Sequence, residues 1–383
     1  MILRQINSHD IPHAIHAIGA DKVGQSIMSK KSHILGFEIK DLSFVAMNIL
    51  KQEALSVGGE CATPRECIKH QGEKIAILML TQAQLERLIR KLATQPFGLK
   101  EVGKILHKHL QSSLKPHRLD SIRSAIMAVV NVTPDSFYAP SRNDIEGAKQ
   151  RIHALLDKEV GIIDIGGASS RPGSELIDFQ LEKQRLQPII EYIHTHSLYN
   201  KATFSIDTYN PQTADYALSH GFRIINDISG FAKEEMFHIA QKHEAQVIIM
   251  HSKGTPQTMQ NLTHYDDIFA ELSVFFTEKI AQCKAFGIEN IILDIGFGFA
   301  KNRKQNLALI KHLSHFRHFG FPLLVGASRK NTIGELTGRE AEGRLSGTLA
   351  LHLLALQNGA SILRVHDEDP HIDMLKIYKA LHE

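Results

Sequence analysis

Tryptophan is absent from the 383-residue sequence, cysteine occurs three times, and aromatic residues make up only 7%. Cys61, Cys67 and Cys283 form an odd set with no repeated spacing. That excludes a disulfide framework and suits a reducing compartment. Cys61 and Cys67, in CATPREC, stand further apart than the two to four or so residues of usual zinc spacings, which also come with more ligands. No apolar run approaches the roughly 18 residues that a membrane span needs. The start, MILRQINSHD, turns polar too early for a secretory signal. The expectation is a cytoplasmic protein with no membrane partner. Neither charge sign dominates. A net charge of +3 with neutral histidines and a sparse aromatic pattern give no footing for nucleic acid. An anionic substrate would have to be held by local basic groups.

What is present is a rhythm. From about residue 122 onward, eight short apolar runs alternate with longer amphipathic stretches: 125–133, 161–167, 203–209, 223–230, 246–252, 290–296, 322–328 and 361–367. Near-continuous apolar runs are expected of parallel strands covered on both faces. Helical patterns fall between them, among others at 176–196, 211–220, 264–286, 302–315 and 340–357. A β-α unit repeated eight times predicts a parallel sheet with crossover helices. The segment from 122 to the end suits a (β/α)8 TIM barrel, which typically takes about 250 residues. An open doubly wound sheet is the competing layout, but no GxGxxG turn follows the first run.

A barrel gathers its chemistry where strands end. Here the runs end on Asn131, Gly166-Gly167, Asp207, Asn226-Asp227, His251, Asp294, Ser328-Arg329-Lys330, and Arg364 with His366. Turn formation explains Asp, Asn and Gly at such places. It does not explain Arg364 and His366 in the last run, two residues apart and so on one side of a strand.

Residues 1–118 read as a separate small α/β domain, with 119–383 as the barrel. The pattern predicts strands near 2–6, 34–41 and 74–81, helices near 10–19, 43–57, 82–94 and 98–113, and a linker at 111–120. GGECATPRE reads as a polar turn, and no chemistry is legible in this part.

The strand ends carry NVTPDSF (131–137), DIGGASSRPGSE (164–175), SIDT (205–208), IINDISG (224–230), MHSKGTPQTMQ (250–260), LDIGFGFAK (293–301), VGASRKNTIG (325–334) and LRVHD (363–367). In this order they resemble the dihydropteroate synthases. That family condenses 6-hydroxymethyl-7,8-dihydropterin diphosphate with p-aminobenzoate, giving dihydropteroate and diphosphate in folate biosynthesis.

The resemblance implies a pterin slot lined by Asp207, Asn226, Asp294 and Lys330, with Ile228, Met250 and Phe299 as its apolar wall and Arg364 stacked on the ring. It implies a diphosphate site at Asn131, Arg364 and His366, with Asn131 also ligating Mg2+. Lys330, Arg364 and His366 would carry catalysis. Two loops, about 133–143 and 168–175, would hold p-aminobenzoate through Phe137, Ser170, Arg171 and Pro172. Its carboxylate would lie at the helix start by Asn331. Diphosphate would leave first, so no enzyme nucleophile is needed. A homodimer through the outer helices and sensitivity to sulfonamides would follow the family habit.

The sequence departs from the family at Ala168 and Ser170, where Glu and Thr are usual, at Ile295 for Pro, at Asn331 for Ser, and in FYAPSRND after Ser136. All lie near the aminobenzoate side. These departures keep open a catalytically silent pterin-binding relative; the other alternative, a methyltransferase passing a methyl from methyltetrahydrofolate to a corrinoid, would need no diphosphate site, and the SRK segment at 328–330 with Arg364 and His366 argues against it.

Overall fold

The computed structural model describes residues 3–8, 10–114, 121, 123, 125–132, 145–168 and 173–382. The chain divides into two compact units, Met1–Lys115 and Pro116–Glu383.

In the first unit, strands β1 (Ile34–Lys40), β2 (Glu60–Ala62) and β3 (Ile75–Thr81) form an antiparallel sheet in the order β1-β3-β2. β1 and β3 pair from Ile34 opposite Thr81 to Lys40 opposite Ile75. Along β3, Ala76, Leu78 and Leu80 are buried while Ile77 and Met79 face outward, the alternation of a sheet covered on one side. Met47 and Leu50 from helix Phe44–Ser56, and Leu85 and Leu88 from helix Gln82–Leu92, share that core. Ser43 caps the first of these helices by accepting from Ala46 N, and Thr81 with Gln84 forms a capping box on the second.

The expected strand at 2–6 does not form. Described residues there have no regular structure, and Leu3 is 92% exposed, so no neighbour rewards extension. A helix at Lys22–Ser29, capped by Asp21, was not expected. GGECATPRE is not simply a turn. It holds β2 and runs into a 3-10 helix at Arg65–Lys69, and Cys61 and, just beyond it, Cys67 are both buried in the core. Burial pushes the Cys61 thiol up to about 11, so it behaves as a small apolar side chain. The helix Leu99–Leu114 runs on into the expected linker.

The second unit holds β4 (Ile126–Asn131), β5 (Ile162–Gly166), β6 (Thr203–Asp207), β7 (Ile224–Asp227), β8 (Gln246–Met250), β9 (Ile291–Asp294), β10 (Leu323–Val325) and β11 (Ile362–Val365). All pair in parallel and close into a barrel, β11 lying between β10 and β4. Helices return the chain outside, including Phe179–Thr195, Ile268–Ala285 and Leu345–Gln357. The fold is therefore a (β/α)8 TIM barrel with a separate small antiparallel α/β unit.

Alternation sorts the strand residues. One set, with Ile163, Ile165, Phe204, Ile206, Leu363 and Val365, joins the large core under the helices. The other set faces the barrel axis. Its lower layer is wholly apolar: Met127, Ile162, Ile224, Ile248, Ile292, Leu324 and Ile362 form a cluster of their own. Among the described residues, no helix is long and apolar enough to cross a membrane.

Candidate active site

Two residues further along these strands, the axis-facing layer turns polar. Asp164, Asn226, Asp294 and Arg364 occupy it, with Asp207 at the end of β6. The strand register places them side by side, since Asp207 pairs with both Gly166 and Asn226.

Arg364 is the organiser. Its Nε donates to Asp164 Oδ2 at 2.7 Å, and its Nη2 donates to Asp207 Oδ2 at 2.6 Å. Asn226 Nδ2 donates to the same Asp164 oxygen at 3.1 Å. Asp164 is fully buried, and its Oδ1 has no hydrogen-bond partner among the described residues. Burial pushes Asp207 up to about 7 against the pull of Arg364, with the Asp164 charge adding to the rise. Buried charges of this kind persist only when paired, and one guanidinium serves two carboxylates here.

Asp294 accepts from Gly296 N at 2.8 Å. Burial raises its pKa, and Lys330 draws it back. Lys330 Nζ donates to the Phe297 carbonyl and lies 4.5 Å from the centre of the Phe299 ring. Burial lowers its ammonium to about 8, with Asp294 opposing. Phe299 clusters with Met250, Met259 and Ala300, and Ile228 packs on them. A polar floor thus meets an apolar wall, the pairing that a flat heteroaromatic ring with polar edges requires.

The Ser328-Arg329-Lys330 run divides its work. Ser328 Oγ lies 2.9 Å from His366 Nδ1. Arg329 turns away into a two-bond pairing with Asp367, at 2.8 and 2.7 Å. Only Lys330 faces the slot. Burial, with Arg364 nearby, lowers His366 to about 3, so it offers a neutral ring rather than a cation. At Gly166 an added Cβ would lie 3.4 Å from Asn131 Oδ1 and 3.4 Å from Asp207 Cβ. Gly166 thus lies between the side chains of Asn131 and Asp207.

The structure therefore brings together Asn131, Asp207, Asn226, Ile228, Met250, Asp294, Phe299, Lys330, Arg364 and His366. Asn331 opens the helix Asn331–Thr337, with Lys330 as its cap residue, and its Oδ1 accepts from Arg344 Nη1 at 3.1 Å. Phe137, Ser170, Arg171 and Pro172 lie outside the described residues. Sequence reasoning missed Asp164 and Lys301. Asp164 is a lone acid inside GIIDIGG, in phase with Ile162 and Gly166, and that phase is the signal that could have found it.

The family model described as pterin binding enzyme matches residues 127–366. The chain is 50% identical over 384 aligned residues to a bifunctional dihydropteroate synthase/dihydropteroate reductase of Helicobacter pylori, covering all of both chains. It is 38% identical to the dihydropteroate synthase of Escherichia coli over 68% of this chain and 93% of that one. Among solved structures, Yersinia pestis dihydropteroate synthase with a sulfonamide drug complex matches with a TM-score of 0.64 and 34% identity, covering 69% of this chain and 96% of that one. Xanthomonas albilineans dihydropteroate synthase with 4-aminobenzoic acid matches with a TM-score of 0.62 and 36% identity, over 69% and 94%.

Proposed function

The chain belongs to the pterin binding enzymes, and among them to the dihydropteroate synthases, transferases of folate biosynthesis; on that footing we propose how its residues carry the reaction. The observation that carries the proposal is the Arg364 bridge between Asp164 and Asp207, with Asp294 and Lys330 on the opposite side of the same buried floor.

A dihydropterin presents amine and ring N–H donors along one edge and a carbonyl beside them. Asp207 and Asp294 accept from the donors. Asn226 and Lys330 donate to the acceptors. Met250, Phe299 and Ile228 hold the ring face, and the guanidinium of Arg364 lies against it. The diphosphate tail reaches Asn131, Arg364 and His366. Arg364 supplies positive charge, Asn131 and His366 supply neutral polar contacts, and charge developing on the departing group is stabilised. The C–O bond to diphosphate breaks, a C–N bond to the aniline nitrogen forms, and that nitrogen then loses a proton. Departure comes first, so the protein contributes alignment and electrostatics rather than a nucleophile.

Mg2+ fits this end of the site. Asn131 offers a hard neutral oxygen beside Gly166, where no Cβ intrudes, and magnesium takes few protein ligands when phosphate oxygens complete its shell. When bound, it would neutralise diphosphate charge. The aminobenzoate falls to the loops bearing Phe137, Ser170, Arg171 and Pro172, with its carboxylate near Asn331. Buried free cysteines support work in the cytoplasm. Exposed Leu354, Ile377 and Leu381 on two outer helices support a homodimer, which sedimentation would test.

Diphosphate release is the test, measured from dihydropterin diphosphate and magnesium with and without p-aminobenzoate. Dihydropteroate formed only with both substrates supports this reading. Pterin binding without product in folded protein would instead support a catalytically silent relative.

A second activity is favoured by one observation, the full-length match to a relative named as synthase and reductase. The first unit lies outside the matched family model and inside that alignment. We infer that this chain also reduces dihydropteroate, with a reduced nicotinamide or flavin as hydride source. Failure of the full chain to form tetrahydropteroate from dihydropteroate and either donor would refute it.

A further inference from the structure

Lys301 lies beyond Asp294 in the loop after β9, and only 4% of it is exposed. Its Nζ donates to the carbonyls of His251 at 3.1 Å, Gly296 at 3.1 Å and Phe299 at 2.9 Å, and meets His251 Nδ1 at 3.0 Å. An ammonium has three protons and no acceptor. None of these four partners is a carboxylate. Burying a cation among neutral acceptors is expensive, and burial lowers this ammonium to about 7, with Asp294 acting through space against the fall.

The cage joins two loops. His251 ends the β8 run, directly after Met250. Gly296 and Phe299 belong to the loop after β9. The approach is close: at Gly296, where φ is +64°, an added Cβ would lie 1.9 Å from the His251 carbonyl oxygen. Ala300 has φ +50° without being glycine. That left-handed residue turns the chain so that Lys301 reaches back under its own loop.

We propose that Lys301 is a positioning residue of the pterin slot, its ammonium fixing the loop after β9 against the loop after β8 so that Met250, Asp294 and Phe299 meet the ring together. The proposal rests on reading that slot as the pterin site. It predicts an effect confined to one substrate. A plain structural staple would cost stability and leave the two substrates equally affected.

The test is steady-state kinetics of the full chain as Lys301→Met and Lys301→Ala, varying each substrate separately, with thermal melts to confirm folding. The KM for dihydropterin diphosphate should rise about tenfold, as for other supporting residues one step from a ligand, while the KM for p-aminobenzoate moves less than about twofold. Propylammonium added to Lys301→Ala should restore the pterin KM, and propanol should not. An unchanged pterin KM, an equal rise in both constants, or equal action of the amine and the alcohol would overturn the proposal. If neither variant folds, His251→Leu removes one acceptor and should raise the pterin KM alone by about threefold; no change would again overturn it. A wild-type chain that fails to bind dihydropterin diphosphate would defeat the slot assignment itself. Normal wild-type binding with indifferent variants would defeat only the role of Lys301.

Discussion

Ile162, Ile224, Ile292 and Ile362 fill one layer of the barrel axis, and Asp164, Asn226, Asp294 and Arg364, each two residues along the same strand, fill the next. The layers share strands and register, and all but Arg364, whose side chain is 20% exposed, are buried. They differ in what holds them. The isoleucines need only fit, each contributing about 1.5–3 kcal/mol by leaving water. The charged layer is held by geometry. Remove one partner and the other remains buried and uncompensated. The lower layer therefore makes the barrel stand, and the upper one keeps charges that only a ligand of matching polarity can finish satisfying. Asp164 Oδ1, without a hydrogen-bond partner among the described residues, belongs to that upper layer.

Three predictions would break or sharpen this contrast. The largest effect is expected in the upper layer. Lys330→Ala should lower kcat/KM by about a hundredfold or more, with a smaller loss of stability than Arg364→Ala because its hydrogen bond goes to the Phe297 carbonyl and not to a carboxylate. Arg364→Ala should lose comparable activity and also about 3–5 kcal/mol of stability, because Asp164 and Asp207 are left together without a cation. Diphosphate release and denaturant melts separate the two. Equal stability losses in both variants would erase the distinction drawn here.

Next comes the lower layer. Ile292→Ala should cost about 2–5 kcal/mol in denaturant melts, yet leave both KM values near those of the parent. A large rise in the pterin KM would mean that the layers are not independent.

The smallest effect is in pH. Asp207 accepts from a pterin N–H more strongly as the carboxylate, so binding strengthens as pH rises through about 7. Lys330 donates more strongly as the ammonium, so binding weakens as pH rises through about 8. The profile of kcat/KM should be a narrow bell, and Asp207→Asn should flatten its acid limb. Stability moves the other way on that limb. With the folded carboxyl raised above an unfolded value of about 3.9, the folded state holds the extra proton between those values, and stability falls as pH rises across them.

Much of this was legible because buried parallel strands are apolar on both faces and stop where chemistry starts. The eight runs became β4–β11, trimmed at their polar ends. Residues that terminate a run, such as Asp207 and Lys330, stand out for that reason. Asp164 does not, because it sits inside a run and reads as an interruption. Its role depends on which way alternate residues face, and that is fixed only once the barrel closes. Lys301 is hidden differently. A lysine at the end of FGFA looks like a solvated loop residue, and nothing local says that three carbonyls will turn inward around it. In the first unit, β2 is three residues long and forms because β3 is there to pair with it. No local pattern carries that information.

Arg364 and Asp164 are separated by 200 positions in the chain, and β11 is also the strand that seals the ring between β10 and β4. On a ribosome working at about 5–20 residues per second, Asp164 waits roughly 10–40 s for its guanidinium. Until then the nascent chain lacks the strand that pairs with both β10 and β4. Closure of the ring and neutralisation of Asp164 arrive in one step, so a chain stopped short of its last strand would be missing its binding site and the wall that makes it a barrel at once.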